Sequence, residues 1–133
     1  MTYKVDKTDE QWRQELSSTE YKVLRQAATE RPWTGALLDE KRDGVYRCKA
    51  CSAELFRSTT KFESGSGWPS FYEPVSDDAV KLERDSSLGV VRTEVLCGSC
   101  GSHLGHLFDD APQTPTGDRY CMNSISLDFE EKN

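Results

Sequence analysis

Apolar residues recur at helical spacing near the N-terminus and at strand spacing in the rest of the chain. Trp12 and Leu16 stand four apart, and Tyr21, Leu24 and Ala28 follow at intervals of three and four, the stripe of one helix face. Thr8 with Gln11, and Ser17 with Glu20, have the spacing of capping boxes, in which a hydroxyl and a longer side chain three residues on satisfy each other's backbone N–H groups. Two short helices are therefore predicted. They end before "ERPWTG", where Pro32 and Gly35 break the pattern. From about Gly44 the period falls to two. "GVYRC" is short and β-prone, "AVKLERD" alternates through Val80 and Leu82, and "LGVVRTEVLC" is rich in β-branched residues. "NSISLDF" alternates through Ile125, Leu127 and Phe129. The expected fold is mainly β and antiparallel, with a helical lead-in over residues 1–34 and a β core over 44–130. Strand order within the sheets is not fixed by these patterns.

Length and composition narrow this picture. A chain of 133 residues suits one domain with a modest core, and no repeat, low-complexity stretch or linker divides it. Hydrophobic residues make up 35% and charged residues 30%, so a soluble domain this lean gains from a staple. The net charge of -6 weighs against nucleic acid, which wants a basic surface. No apolar run is long enough to span a bilayer. The opening "MTYKVDKTDEQW" is polar and acidic, unlike a signal peptide. A reducing cytoplasm is the expected home, where cysteines serve metals or redox chemistry.

Four of the five cysteines form two CxxC pairs, Cys48 and Cys51 in "CKAC" and Cys97 and Cys100 in "CGSC". Two intervening residues let both thiolates reach one ion from a tight turn, and two such knuckles complete the tetrahedral four-sulfur site that zinc prefers. Gly98 and Gly101 would let the backbone curl beneath the metal. A closed site of this kind has no open position, so the zinc is expected to be structural. Iron on the same thiolates, a site in which His106 replaces one of them, and a pair of redox CxxC motifs remain as alternatives.

His103 and His106, the only histidines, follow in "SHLGHLF". They read either as surface or metal-shell imidazoles or as proton carriers near neutral pH. "KFESGSGWPSFYEP" has two readings as well. Either Trp68 and Phe71 both belong to the core, or the loop offers an aromatic wall to a ligand, turning at Gly65 and Gly67 and fixed by Pro69. The fifth cysteine, Cys121, stands alone in "GDRYCMNSISLDF". It is either a buried inert thiol or a nucleophile. On a strand, Arg119, Cys121 and Asn123 would share one face, setting a cation and an amide beside the sulfur.

Together "RPWTG", "CKAC", "SGSGWPSFYEPV", "RTEVLCGSCGSHLGHLFDD" and "PTGDRYCMNSISL" resemble the methionine-R-sulfoxide reductase family, the B type, in its zinc-binding branch. These motifs run in family order from about Trp12 to Phe129. The resemblance implies two antiparallel sheets of the Mss4-like, β-tent kind with short N-terminal helices. It implies Cys121 as nucleophile, with His103, His106, Arg119 and Asn123 in the active site, Trp68 binding substrate, and zinc on Cys48, Cys51, Cys97 and Cys100. The implied substrates are oxidised proteins carrying methionine-R-sulfoxide, and the implied reductant is thioredoxin or another thiol.

One position departs from the family. Many members carry a resolving cysteine just before the tryptophan motif, and here that place holds Ser66. Either this is a one-cysteine form reduced by an external thiol or redoxin, or Ser66 replaces a cysteine by design. A non-catalytic zinc-ribbon-like interaction module is the competing class. It accounts for the paired cysteines but not for Cys121, "GWPSF" or "HLGH". A zinc hydrolase or deaminase would need an open metal site and an HxE motif with PCxxC, and neither is present.

Overall fold

The computed structural model describes residues 3–86 and 89–132. Both capping boxes form: Thr8 and Gln11 cap α1 (Asp9–Glu15), and Ser17 and Glu20 cap α2 (Ser18–Gln26). Trp12, Leu16 and Leu24 are buried as the stripe predicts. Ala28 is not on that face, because Ala27 takes a left-handed conformation and stops α2 at Gln26; Val23 is buried instead. No described helix is long and apolar enough to cross a membrane.

The remaining chain forms two antiparallel sheets. One has the order β2 (Glu54–Arg57), β1 (Gly44–Cys48), β9 (Leu127–Glu131). The other has the order β3 (Lys61–Phe62), β4 (Ser70–Phe71), β8 (Arg119–Met122), β7 (His103–Phe108), β6 (Arg92–Cys97), β5 (Val80–Asp85). The run "LGVVRTEVLC" pairs only from Arg92; Val90 and Val91 are exposed, and Leu88 lies outside the described residues. "NSISLDF" is not one strand. Ser124–Ser126 is a 3-10 turn, and the alternation begins at Leu127.

Aromatic rings join the two sheets. Phe71 of β4 stacks on Phe56 of β2 at 4.5 Å and meets Tyr46 of β1 edge-on at 5.0 Å. Such pairs add roughly 0.5–1.5 kcal/mol each beyond their buried area. Alternation then decides what the other face of the large sheet carries. Phe71, Tyr120, Met122 and Val95 turn into the core, so Ser70, Arg119, Cys121, Arg92 and Glu94 turn away from it. The register sets Ser70 opposite Cys121, Cys121 opposite His106, and His106 opposite Glu94, so one polar row crosses four strands.

Candidate active site and metal centre

A bulge builds the histidine pair. Gly105 pairs with Val95 and His103 with Leu96, which leaves Leu104 as an extra residue in β7. The bulge offsets the two-residue alternation, so His103 and His106 share a face with their rings 5.4 Å apart. The glycine between them is required by close approach: a Cβ on Gly105 would run into the Cys121 carbonyl oxygen.

Cys121 lies in a cleft of about 170 Å³ that is also lined by Ser66, Trp68, His106, Phe108 and Arg119. A cavity of ~150 Å³ holds benzene, so the cleft has room for the five heavy atoms at the end of a methionine sulfoxide side chain. Phe71 is fully buried in the core while Trp68 is half-buried and walls the cleft, so the two readings of that loop divide between its two aromatics. Gly65 and Gly67 both have positive φ, as the sharp turn requires, and a Cβ on Gly67 would press on Pro32 at 2.7 Å.

Three residues absent from the sequence-based expectations fasten the site. The Glu30 carbonyl accepts the Trp68 indole N–H at 3.0 Å, and the Glu30 N–H donates to Asn123 Oδ1 at 3.0 Å. Asn123 also donates through Nδ2 to the Leu104 carbonyl at 3.1 Å. Asn123 lines the cleft as expected, but its amide holds backbone in place and is not aimed at the sulfur. Asp110 grips Arg119 with two bonds of 3.0 and 3.1 Å, while the guanidinium lies 4.4 Å over the Phe108 ring. Thr29 completes the rim of the cleft.

The thiol is not a ready thiolate. Burial pushes the Cys121 pKa up, and the charge of Arg119 with a hydrogen bond from Ser66 pulls less strongly the other way. Ser66 Oγ is 3.9 Å from Cys121 Sγ and 2.8 Å from Ser64 Oγ, which in turn lies 2.7 Å from Ser70 Oγ. His103 is driven toward the neutral form by burial, opposed by its hydrogen bond to Glu94.

The four paired cysteines converge elsewhere. All four Sγ atoms lie within 4.8 Å of one another, with Cys48 to Cys100 at 3.8 Å and Cys51 to Cys97 at 3.6 Å. Zinc–sulfur bonds of about 2.3 Å in a tetrahedron put sulfurs ~3.8 Å apart, so the donor set fits such an ion. Neither histidine belongs to the cluster: His103 turns to Glu94 and His106 to Asp85. In each knuckle the residue after the second cysteine, Ser52 or Gly101, has positive φ and donates its N–H to the carbonyl of the first cysteine at 2.8 Å. Gly98 is explained differently from the expectation. Its φ is ordinary, and a Cβ there would strike the Asp78 carbonyl oxygen. Cys48 ends β1 and Cys97 ends β6, so an ion here ties one sheet to the other.

Comparison with known proteins agrees with this arrangement. The profile of the SelR domain matches residues 16–131. A peptide methionine sulfoxide reductase MsrB of Leifsonia xyli subsp. xyli is 67% identical over 128 residues, covering 96% of this chain and 92% of that protein. The Leptospira interrogans protein of the same name is 55% identical over 132 residues, covering 99% and 100%. That of Methanosarcina mazei is 54% identical over 129 residues, covering 97% and 91%. With near-complete coverage at these identities, the chain belongs to the SelR-domain family of peptide methionine sulfoxide reductases of the B type.

Proposed function

We propose that this protein, acting as a single domain, reduces the R epimer of methionine sulfoxide, chiefly within oxidised proteins, and so repairs oxidative damage in a reducing compartment such as the cytoplasm. One observation carries the proposal: Cys121, the one thiol outside the metal cluster, sits in a cleft walled by Trp68, His106, Arg119 and Phe108. Trp68 packs against the substrate methyl group. The Cys121 proton passes to an imidazole and the thiolate attacks the sulfoxide sulfur. The imidazolium returns the proton to the oxygen, which ends on Cys121 as a sulfenic acid, and methionine leaves with two more electrons than the sulfoxide had. His106 is the acid favoured by position, because it lines the cleft and His103 is buried behind it. Arg119 favours the thiolate, and Asn123 keeps the cleft in shape.

Ser66 stands where a resolving thiol would be needed, so one thioredoxin dithiol, or two equivalents of a small thiol, regenerates Cys121, leaves as a disulfide and releases water. Cys48, Cys51, Cys97 and Cys100 hold a structural zinc ion, which clamps the fold and takes no part in the chemistry. The test is turnover of peptides carrying each sulfoxide epimer, with thioredoxin and dithiothreitol in parallel. The R epimer alone should be reduced, and Cys121→Ser should abolish the reaction with the metal retained. Turnover by Cys121→Ser would exclude Cys121 as the nucleophile.

A further inference from the structure

The proposed reaction uses one imidazole, that of His106, and leaves unexplained a second imidazole, two carboxylates and an arginine on the same sheet face. His106 Nε2 lies 2.9 Å from Asp85 Oδ2, and Arg92 Nη2 donates to that oxygen at 3.0 Å. His103 Nδ1 lies 2.6 Å from Glu94 Oε2. Both carboxylates are shielded, with side chains 16% and 20% exposed. Their places follow from the register: Asp85 closes β5 opposite Arg92, and Glu94 stands opposite His106.

An ionised carboxylate only accepts hydrogen bonds. The ring nitrogen facing it must therefore carry the hydrogen, which sets the neutral tautomers as Nε2–H for His106 and Nδ1–H for His103. His106 Nδ1 is then the nitrogen free to exchange a proton in the cleft. His103 Nε2 is buried with no hydrogen-bond partner among the described residues, an acceptor set beside the His106 ring.

We infer that Asp85 and Glu94 are positioning residues for the reduction, each holding one histidine in a single tautomer and orientation so that His106 presents Nδ1 to the sulfoxide oxygen. This rests on the proposed function. The two carboxylates differ in kind. Asp85 divides its charge between His106 and Arg92, so it orients the His106 ring while sharing its oxygen with the guanidinium. No lysine or arginine among the described residues ion-pairs with Glu94, so His103 has that carboxylate to itself, and the pair offsets part of the cost of burying the imidazole.

Two measurements test this. Ring nitrogen-15 NMR of the intact protein, at a pH where both histidines are neutral, should show Nε2–H for His106 and Nδ1–H for His103. The opposite tautomer at either ring overturns the assignment for that pair, and this holds even if a variant fails to fold. Single turnover of an R-sulfoxide peptide without reductant, read as methionine released per chain, should slow ~10-fold or more in Asp85→Asn and in Glu94→Gln, within the ~10²–10⁴-fold that general acid catalysis contributes. The substrate concentration that gives the half-maximal rate should hold, and alkylation should still stop at one thiol per chain, where an unfolded chain would expose all five. A wild-type rate in either variant removes that carboxylate from the mechanism. Absence of turnover in the unaltered protein would instead sink the proposed function.

Discussion

Removing the metal should lower the melting temperature by an amount the topology sets. An ion held by the four sulfurs would link the knuckle of Cys48 and Cys51, at the end of β1, to that of Cys97 and Cys100, at the end of β6. It would thereby close a loop running from Cys51 to Cys97 in the unfolded chain and join the two sheets in the folded one. Treated as a cross-link, closure of a loop that long stabilises by ~4 kcal/mol. That is a large fraction of the roughly 5–15 kcal/mol that separates a folded domain from its unfolded state. With an unfolding entropy of about 2.1 cal/mol/K per residue over the 133 residues, ~4 kcal/mol corresponds to ~14 °C. The assay is a thermal melt of protein as purified and after chelation, with metal measured on both. Cys97→Ser should reproduce the chelated result, losing metal and stability together. A metal-free chain melting within about 3 °C of the loaded one would refute the clamp.

Three further outcomes are expected. Alkylation of Cys121 should rise with pH through a midpoint above that of an ordinary thiol, because burial raises its pKa. Arg119→Met should move that midpoint higher by removing the charge that favours thiolate, and an unchanged midpoint would show that Arg119 does not act on the sulfur. After one turnover without reductant, mass spectrometry should find one added oxygen on Cys121. Ser66→Cys should give a disulfide instead, since the Ser66 oxygen already lies 3.9 Å from that sulfur, and a persistent sulfenic acid in the variant would mean that the loop cannot close the gap. Trp68→Ala should raise KM for peptide sulfoxides with the metal retained; loss of metal would make Trp68 structural.

Local rules made the lead-in legible. Each capping box is a contact three residues long, and both helices start where Thr8 and Ser17 place them. The two cysteine knuckles were legible for the same reason, as each is a local turn. What the linear pattern hid was set across strands. The two-residue strands β3 and β4 are too short to show alternation. The bulge at Leu104 masks the period of β7, so the shared face of His103 and His106 is invisible without the partner strand. Asp85, Glu94 and Glu30 reach the site from 21, 9 and 93 residues away from their partners, separations at which no spacing rule operates. Arg92 and Glu94 did leave a trace, as polar positions alternating with Thr93 and the buried Val95.

The raised pKa of the half-buried Cys121 stands against its proposed role at first sight, since thiolate is the attacking form. The stoichiometry of the proposed reaction resolves this. A thiol and a sulfoxide yield a thioether and a sulfenic acid, with no proton gained or lost overall. The hydrogen that begins on Cys121 is the one the departing oxygen needs. A half-buried, protonated thiol thus brings its own proton, provided that a neighbour can carry it from sulfur to oxygen at the moment of attack. His106 is the cross-strand partner of Cys121 and lines the same cleft, with one ring nitrogen held by Asp85 and the other left over. The resting thiol, being protonated, is also a poor target for oxidants that act on thiolates. When substrate fills the cleft and displaces water, the attraction between Arg119 and the forming thiolate strengthens as the local dielectric falls. Activation then coincides with binding, so raised resting pKa and nucleophilic attack belong to successive states of one site.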